Sequence, residues 1–338
     1  MSRALDLNHE DILINADLKI AYKNITQALN SCPDKKLEIE ILGKSHALPP
    51  DQILLQDGPF IAIPKLRLVQ AFIVAHTILF KYLRDCPTNQ EVNLRNAASV
   101  LLLMDSEHLT AANTRKRLLN LELERARTSA KNALYAELCW VDGYLTSHLH
   151  RHTKSPILWA HRKWVLDQGR KFIESYDVLQ DLTAVVLRSA ERHPRNYYAW
   201  SHMRWLQKYE TSCQGKIENP KANFDGLSII SIVQDWCLQN PSDTSGFSFL
   251  LHCLISTSIS QDQTLLIFTK FLRFAISYKL VHESIWVFLR TLAAYKLYGE
   301  EIFNFDKFSS TIDIAVENQL NVAREWCRRY QLKTQDIS

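Results

Sequence analysis

The fold of this chain is decided by the segment HPRNYYAWSHMRWL, residues 193–206. On a helix, Trp200, Met203 and Arg204 share one stripe, whereas Trp205 lies about 140° round the axis from Trp200, at roughly 100° per residue. The two tryptophans therefore face different neighbours. Aromatic residues at helical spacing usually pack in a core. The segment predicts the second helix of a packed helical pair.

The same phrase occurs one unit earlier in the chain. KSPILWAHRKWVL, residues 154–166, aligns without a gap with RNYYAWSHMRWLQ, residues 195–207. The first tryptophans of the two segments, Trp159 and Trp200, are 41 residues apart. We call the position that they occupy the repeat slot. The second tryptophans, Trp164 and Trp205, are predicted to pack in the core between stacked helical pairs.

The repeat slot can be followed more weakly to Ala112, Phe247 and Trp286. Spacing of about 40 to 47 residues, with two helices per unit, is typical of helical-hairpin solenoids. We therefore predict an all-α fold, a solenoid of five helical hairpins within residues 66–338. Residues 1–65 are predicted to form an N-terminal helix and an irregular capping segment.

The 3.6-residue period of apolar residues sets the predicted elements. Helices are expected at 9–31, 66–85, 90–104, 108–123, 127–150, 156–173, 177–192, 197–210, 226–239, 244–258, 262–278, 282–298 and 307–333. Extended structure is expected only at 37–42 and 53–63, so residues 32–65 are predicted to be a loop or a short hairpin. The apolar stretch LRLVQAFIVAHTILFKYL, residues 66–83, includes Arg67 and Lys81 and predicts a buried helix with no direct membrane insertion.

Composition excludes several classes of function. The net charge of +4 gives little general attraction for nucleic acid or membrane. The closest pair of glycines, Gly215 and Gly226, lies 11 residues apart, so dinucleotide fingerprints, P-loops and nucleophile elbows are absent. Any phosphate must then be bound by side chains. Seven widely spaced cysteines and an N-terminus without an apolar leader favour a reducing, cytoplasmic location.

A metal site is not predicted on this chain. His148 and His152 have the i, i+4 spacing of two ligands on one helix face. No carboxylate or cysteine lies beside them in the sequence as a third ligand. The histidine-rich stretch SHLHRH, residues 147–152, therefore predicts a basic, exposed helix end.

The phrase Asn-Tyr-x-x-Trp, here NYYAW at 196–200, resembles the repeat of protein prenyltransferase alpha subunits. The order of the repeat units, over roughly residues 66 to 300, is most similar to that of divergent relatives of these subunits, the alpha subunit repeat-containing proteins. The resemblance implies a right-handed superhelix of helical hairpins that wraps a beta subunit. That subunit would hold zinc and the isoprenoid pocket, so no cofactor is expected on this chain.

The resemblance also implies a partner and a reaction. The partner is the beta subunit of the Rab-type geranylgeranyltransferase, and this chain is the alpha-like subunit of a third protein geranylgeranyltransferase. The enzyme transfers geranylgeranyl from its diphosphate to a cysteine thiolate. The implied protein substrates are of the SNARE or small-GTPase class, a farnesylated SNARE among them.

The resemblance implies that three residues make the family's contacts with the diphosphate. Lys154 lies five residues before Trp159 and matches the family's lysine, and Tyr197 lies three before Trp200 and matches its tyrosine. Tyr198 replaces a histidine found in some alpha subunits and keeps a hydrogen-bond donor. Asn196, also part of the motif, is predicted to cap a helix.

The repeat motif also places basic residues after the slot. Arg115 and Arg162 lie three positions after it, and Arg204 lies four after Trp200. The structural residues of the repeat motif are Arg115, Trp159, Arg162, Asn196, Trp200, Arg204 and Trp286. Of these, Trp159, Arg162, Trp200 and Arg204 are predicted to help shape the concave or packing faces.

Two other functions need different chemistry. A non-enzymatic helical-repeat scaffold for protein–protein interaction would have the same hairpins and tryptophans. An RNA-reading repeat would need polar base-reading residues at fixed positions and a basic groove. Those positions vary between units here, so the sequence favours a transferase subunit or a scaffold over an RNA reader.

Overall fold

A computed structural model gives the structure of the chain. It describes residues 16–32, 34–46, 48–49, 52–85, 90–125, 127–170, 172, 176–214, 226–257, 259–297 and 313–335. These residues are mostly helical, and their thirteen helices pack in sequential pairs. The helical pairs predicted from the sequence are confirmed.

The helices have the following bounds. They are α1 (Ala16–Leu29), α2 (Lys65–Asp85), α3 (Glu91–Met104), α4 (Leu109–Arg125), α5 (Arg127–Thr146), α6 (Pro156–Gly169), α7 (Val178–Asp181, continued by a π-helical segment Leu182–Leu187 and by Arg188–Arg192), α8 (Tyr197–Gln214), α9 (Gly226–Gln239), α10 (Thr244–Ser256), α11 (Gln261–Ser277), α12 (Glu283–Leu292, continued by a π-helical turn Ala293–Leu297) and α13 (Ile314–Gln335). The predicted starts at 9 and 307 lie outside the described residues.

Helix α5 ends earlier than the predicted residue 150. Its last turn is closed by Ser147, whose hydroxyl donates to the carbonyl oxygen of Leu37 at 3.1 Å and accepts from the N–H of Ile39 at 2.8 Å. The chain then turns and forms a short 3₁₀ helix at His152–Lys154. A contact with a distant strand therefore ends this helix, and the local sequence does not show it.

A small sheet precedes α2. Its strands are β1 (Glu38–Leu42), β2 (Leu55–Asp57) and β3 (Phe60–Pro64), in the order β1-β3-β2. Strand β3 pairs antiparallel with β2 and parallel with β1. The extended structure predicted at 37–42 and 53–63 is confirmed. The segment forms a three-stranded sheet, however, so the predictions of an all-α fold and of a loop or short hairpin are wrong here. Alternating Ile39, Ile61 and Ile63 bury one face of the sheet, as period-2 patterning requires.

The described chain divides into two compact units. One lies within residues 1–177 and 183–202, and the other within 178–182 and 203–338. The first unit contains the sheet and the hairpins α3–α4 and α5–α6, so the predicted capping segment belongs to the same compact unit as the first hairpins. The second unit contains the hairpins α9–α10 and α11–α12.

Helix α2 is less buried than predicted. It packs against α1 and α3 and buries Leu68, Ala71 and Leu79, but Leu66 and Phe80 are exposed. By length and composition, this helix is the one among the described residues that could cross a membrane, a test that core helices also pass. The prediction of a buried helix is therefore wrong for the exposed residues of α2.

One side-chain position caps the second helix in four of the five hairpins. The residue four before the repeat slot accepts a hydrogen bond from a backbone N–H of the first turn, which otherwise lacks a partner. These residues are His108, Ser155, Asn196 and Asp243. The caps fix where α4, α6, α8 and α10 begin.

Some of these residues also join consecutive hairpins. The hydroxyl of Ser155 donates to the carbonyl oxygen of Ser106 at 3.0 Å, and the amide of Asn196 donates to that of Thr153 at 2.6 Å. Both acceptors lie six residues before the slot of the preceding hairpin. In the second unit, Ser284 bonds the equivalent oxygen, that of Pro241. The hairpins are thus joined by repeated backbone contacts at the same end.

Candidate functional site

The repeat-slot tryptophans pack in the core. Trp159, Trp200 and Trp286 are buried. The indole N–H of Trp159 donates to the carbonyl oxygen of Thr153 at 2.9 Å, and that of Trp286 donates to that of Leu280 at 2.8 Å, six residues earlier in both cases. Because all three rings are buried and the N–H groups of Trp159 and Trp286 bond within the fold, these residues are scaffold.

The second tryptophans, Trp164 and Trp205, are only half-buried. The prediction that both side chains pack in the core between hairpins is therefore correct only in part, because each side chain is partly exposed. The Nζ atom of Lys116 lies 5.6 Å from the ring centroid of Trp164, at the edge of the packed layer. A cation over an aromatic face is a typical contact at such an edge.

A buried ion cluster joins three helices around Arg115. Its Nε and Nη2 donate to the two carboxylate oxygens of Glu137 at 2.8 and 2.7 Å, and Nε2 of His161 lies 2.7 Å from Oε1 of Glu137. Burial by itself would raise the pKa of Glu137, but the charge of Arg115 and the bond from His161 outweigh burial and hold that pKa well below its usual value. Arg115 is structural.

A second buried cluster is centred on Arg162. Its Nε donates to Oδ1 of Asp142 at 2.6 Å, and its Nη2 donates to the hydroxyl of Tyr176 at 3.1 Å. Its Nη1 lies 2.7 Å from Nε2 of His202, which therefore acts as the acceptor. The guanidinium is fully enclosed. Arg162 therefore holds α5, α6 and α8 together and contacts no solvent.

Later hairpins replace these arginines with apolar residues. Met203, Leu250 and Leu289 occupy the position three after the slot, and all three are fully buried. Arg204, one position further on, is half-buried and donates to the hydroxyl of Ser248 at 2.8 Å. In the first two hairpins, the position three after the slot thus holds an arginine in a buried ion cluster. In the later hairpins, the same position holds an apolar side chain.

Lys154 is exposed at the beginning of α6. It ends the 3₁₀ helix and is followed by Ser155, whose hydroxyl caps α6, and by Pro156 in the first turn. Proline at this position is preorganised for a helix start. Lys154 therefore carries its charge beside the positive end of the α6 dipole, which is a favourable place for an anion.

Tyr197 and Tyr198 are exposed at the beginning of α8. The Tyr197 side chain is 62% exposed, and the ring centroids of Tyr197 and Tyr198 lie 5.6 Å apart with an edge-to-face arrangement. The preceding residue, Asn196, is fully buried and accepts from the N–H of Ala199 at 3.3 Å. The two phenols therefore project from a helix start that the buried asparagine holds in place.

The structure brings Lys154 and Tyr197 to the same edge of the first unit. Asn196 bonds the carbonyl of Thr153, so the residue that precedes Lys154 contacts the residue that precedes Tyr197. Lys154, Tyr197 and Tyr198 are exposed at these two neighbouring helix starts. We call Lys154, Tyr197, Tyr198 and the two helix starts the basic edge. Its groups can donate hydrogen bonds to an anion from solvent.

Two residues near the basic edge were not predicted as functional. His150 follows the end of α5 and His193 follows α7, and their ring centroids lie 4.5 Å apart. The stretch SHLHRH is not an exposed helix end throughout, because His152 is buried with Nε2 2.9 Å from the carbonyl oxygen of Leu102. His148, by contrast, is exposed. Within the described residues, no group of three or more His, Cys, Asp or Glu side chains is arranged to hold a metal ion.

This geometry defines a class of protein, a helical-hairpin repeat protein with polar clusters in its first hairpins and a basic edge at their helix starts. The chain is related to prenyltransferase alpha-subunit repeat proteins. It is 31% identical to protein prenyltransferase alpha subunit repeat-containing protein 1 of Danio rerio over 179 residues, which are 48% of this chain and 37% of that protein. The resemblance predicted from the sequence is confirmed by this relative.

Further relatives carry the same name. The Homo sapiens protein is 28% identical over 186 residues, covering 49% of this chain and 41% of its own length. Protein prenyltransferase alpha subunit repeat-containing protein 1-B of Xenopus laevis is 27% identical over 186 residues, covering 49% of this chain and 38% of its own length. The matched regions thus span about two fifths of these relatives. The family model described as the ECM9 middle domain matches residues 158–274.

Proposed function

We propose that this chain is the alpha-like, substrate-positioning subunit of a heterodimeric protein geranylgeranyltransferase of the cytoplasm. Its hairpins form a right-handed superhelix around the beta subunit of the Rab-type geranylgeranyltransferase. That partner holds the zinc ion and the isoprenoid pocket, and this chain is not catalytic alone. Its relation to prenyltransferase alpha-subunit repeat proteins supports this class of function.

The observation that carries the proposal is the hydrogen bond of 2.6 Å from Asn196 to Thr153. It joins the residues that directly precede Lys154 and Tyr197, which come from different hairpins, and both side chains are exposed at helix starts. An ammonium group and a phenol hydroxyl there can both donate to one diphosphate. Charge-assisted bonds of this kind stabilise a leaving anion by about 2 to 4 kcal/mol in the transition state.

The reaction needs these hydrogen-bond donors when the diphosphate leaves. The substrate thiolate forms a bond to C1 of the allylic diphosphate, while the C1–O bond breaks and the diphosphate leaves with its electron pair. Zinc bound to the partner would hold the substrate cysteine as a thiolate. The Lys154 ammonium and the Tyr197 hydroxyl donate to the departing diphosphate oxygens, and Tyr198 is a further donor at the same helix start. The substrates are cysteine-bearing proteins of the SNARE or small-GTPase class.

The test is reconstitution with the purified beta subunit. Transfer of labelled geranylgeranyl onto farnesylated SNARE and small-GTPase candidates is measured for the wild type, Lys154→Ala and Tyr197→Phe. Lys131, exposed near the beginning of α5, provides the control variant Lys131→Ala. We expect both test variants to assemble normally and to lose turnover, with Lys154→Ala slower by roughly 10- to 100-fold.

Two outcomes would change the proposal. Unchanged turnover in Lys154→Ala would remove this residue from the diphosphate contacts. Failure of the chain to form a stable complex with the beta subunit in size-exclusion chromatography would replace the transferase with a non-enzymatic scaffold, which uses the same buried tryptophans and ion clusters.

A further inference from the structure

The net charge of the chain is concentrated in one pair of helices. Helices α1 and α2 together contain six basic residues and two acidic ones, which gives the pair a net charge of +4. The whole chain has the same net charge of +4, so the remaining residues are balanced. The four lysines of the pair, Lys19, Lys23, Lys65 and Lys81, are exposed, and none forms an ion pair in the described part of the chain. A basic surface therefore exists locally, although the overall charge is low.

Exposed apolar side chains lie among these charges on α2. Leu66 is 69% exposed, Phe80 is 55% exposed and Leu83 is 41% exposed. At roughly 100° per residue, the three side chains fall within an arc of about 100° on one side of the helix, and Lys65 and Arg84 fall within the same arc. Both of these basic side chains are exposed as well. We call these five residues the outer face of α2.

The outer face is long but not continuously apolar. Leu66 and Phe80 lie at opposite ends of α2, about 21 Å apart along the helix axis. Between them, Val69, Ile73 and His76 fall on the same side but are only partly exposed. A partner helix packs against an uninterrupted row of apolar side chains. Separate apolar side chains beside basic groups instead suit a lipid surface, where the apolar groups enter the acyl boundary and the charges meet anionic headgroups.

The inner side of α2 keeps the helix within the fold. Leu68, Ala71 and Leu79 are buried, and α2 packs against α1 and α3. If α2 crossed a bilayer, these side chains would lose their contacts in the core. The arrangement therefore favours contact with the surface of a membrane over a membrane span.

We propose that the outer face of α2 binds the surface of bilayers that contain anionic phospholipid. Leu66 and Phe80 enter the boundary between headgroups and acyl chains, and the lysines of α1 and α2 supply the attraction to the headgroups. The lipid is anionic because this helix pair carries a net charge equal to that of the whole chain. The inference goes beyond the proposed function and does not depend on it, because none of these residues belongs to the basic edge.

The probe is a unilamellar vesicle and the protein is the full chain. Co-sedimentation measures partitioning onto vesicles of phosphatidylcholine alone and of phosphatidylcholine with phosphatidylserine as the minor lipid. We expect clear binding to the vesicles that contain phosphatidylserine and much weaker binding to the others. Binding should decrease as the salt concentration rises, because salt screens the attraction between exposed charges.

The double variant Leu66→Ser/Phe80→Ser tests the apolar contact. We expect its partitioning onto phosphatidylserine vesicles to fall by roughly tenfold or more, because two apolar side chains no longer leave water. Leu266→Ser is the matched control, since Leu266 on α11 is 70% exposed and carries the same side chain as Leu66. Leu66→Ser alone changes the more exposed position, so it is expected to fold even if the double variant does not. It should lose part of the partitioning.

The double variant Lys65→Gln/Lys81→Gln tests the electrostatic contact. Removal of two charges should weaken partitioning onto phosphatidylserine vesicles by roughly 10- to 30-fold. Lys44→Gln/Lys131→Gln removes the same charge at exposed positions outside α1 and α2 and is the control. Melting temperatures of both variants should stay close to that of the wild type, because all four side chains are exposed.

Three results would overturn the inference. The first is absence of wild-type binding to phosphatidylserine vesicles, and the second is an equal loss of binding in the α2 variants and their controls. The third is self-association that Leu66→Ser/Phe80→Ser abolishes in a chain that does not bind vesicles, which would assign the outer face to a second copy. None of these measurements uses the beta subunit, so failure here leaves the proposed transferase standing, and failure to form the heterodimer leaves the lipid surface standing.

Discussion

The side-chain amide of Asn196 donates a hydrogen bond of 2.6 Å to the carbonyl oxygen of Thr153. The same oxygen accepts from the indole of Trp159 at 2.9 Å and from the hydroxyl of Ser189 at 3.1 Å. Three donors from two successive hairpins therefore converge on one backbone atom. Because Thr153 precedes Lys154, this convergence fixes the position from which Lys154 reaches solvent.

Replacement of Asn196 by alanine should destabilise the fold by about 1 to 3 kcal/mol, because a buried donor and a helix cap are lost together. The free energy of unfolding from urea titration measures this cost. Asn132→Ala, at an exposed position of α5, is the control and should change stability by less than about 0.5 kcal/mol. Equal effects of the two substitutions would contradict a joining role for Asn196.

Breaking the buried ion pair of Arg115 and Glu137 should strongly destabilise the fold. Arg115→Met leaves the Glu137 carboxylate enclosed with His161 as its remaining hydrogen-bond partner, at an expected cost of about 3 to 5 kcal/mol. Arg125→Met removes a comparable pair with Glu91 at the surface, where about 0 to 1 kcal/mol is expected. Thermal and urea unfolding of the two variants measure the difference, and similar costs would show that the buried cluster is not needed.

Acid should weaken the Glu137 cluster in a defined direction. The pKa of Glu137 in the folded chain lies below its ordinary value of 4.5. Its stabilising contribution is therefore present above that value and is lost as the pH falls below it. Glu137→Gln should be less stable than the wild type at about pH 7, and the gap should narrow at about pH 3. Urea titrations across this range measure the gap, and a constant gap would mean that Glu137 has an ordinary pKa.

Gly143 is needed where α5 contacts the chain leading into β1. A Cβ atom at this position would lie 3.1 Å from both the backbone N and O of Leu37. Gly143→Ala should therefore force the strand away and cost about 1 to 3 kcal/mol. Gly43→Ala is the matched control, because its nearest atom would be a hydroxyl at 4.0 Å. A drop in melting temperature confined to Gly143→Ala is expected, and equal melting temperatures would refute the close approach.

Much of the fold could be predicted because its signals are local. The Trp159–Trp200 spacing indicates the hairpins, and Ser155 followed by Pro156 indicates a helix start. The parallel pairing of β1 with β3 could not be predicted, since it depends on contacts between separated segments. The early end of α5 has the same cause, because the chain before β1 bonds Ser147.

The candidate site likewise has features that the sequence predicts and features that depend on distant contacts. The position of Lys154 relative to Trp159 is a short-range feature, and the motif reveals it. The carboxylate partners of Arg115 and Arg162 lie 22 and 20 residues away on another helix, so no motif around the arginines identifies them. His150 and His193 are 43 residues apart in sequence. Their proximity follows from stacking of two hairpins, which only the three-dimensional structure reveals.

The bonds between consecutive hairpins constrain how this chain can be dissected. A fragment that stops before Ser155 leaves the oxygen of Ser106 without its hydroxyl donor, and one that stops before Ser189 leaves Thr153 with the indole alone. Truncation boundaries chosen by counting repeats would therefore remove one partner of a hydrogen bond that joins two hairpins. A fragment that keeps the first turn of α8 preserves both junctions, and shorter excisions should yield insoluble or poorly cooperative products.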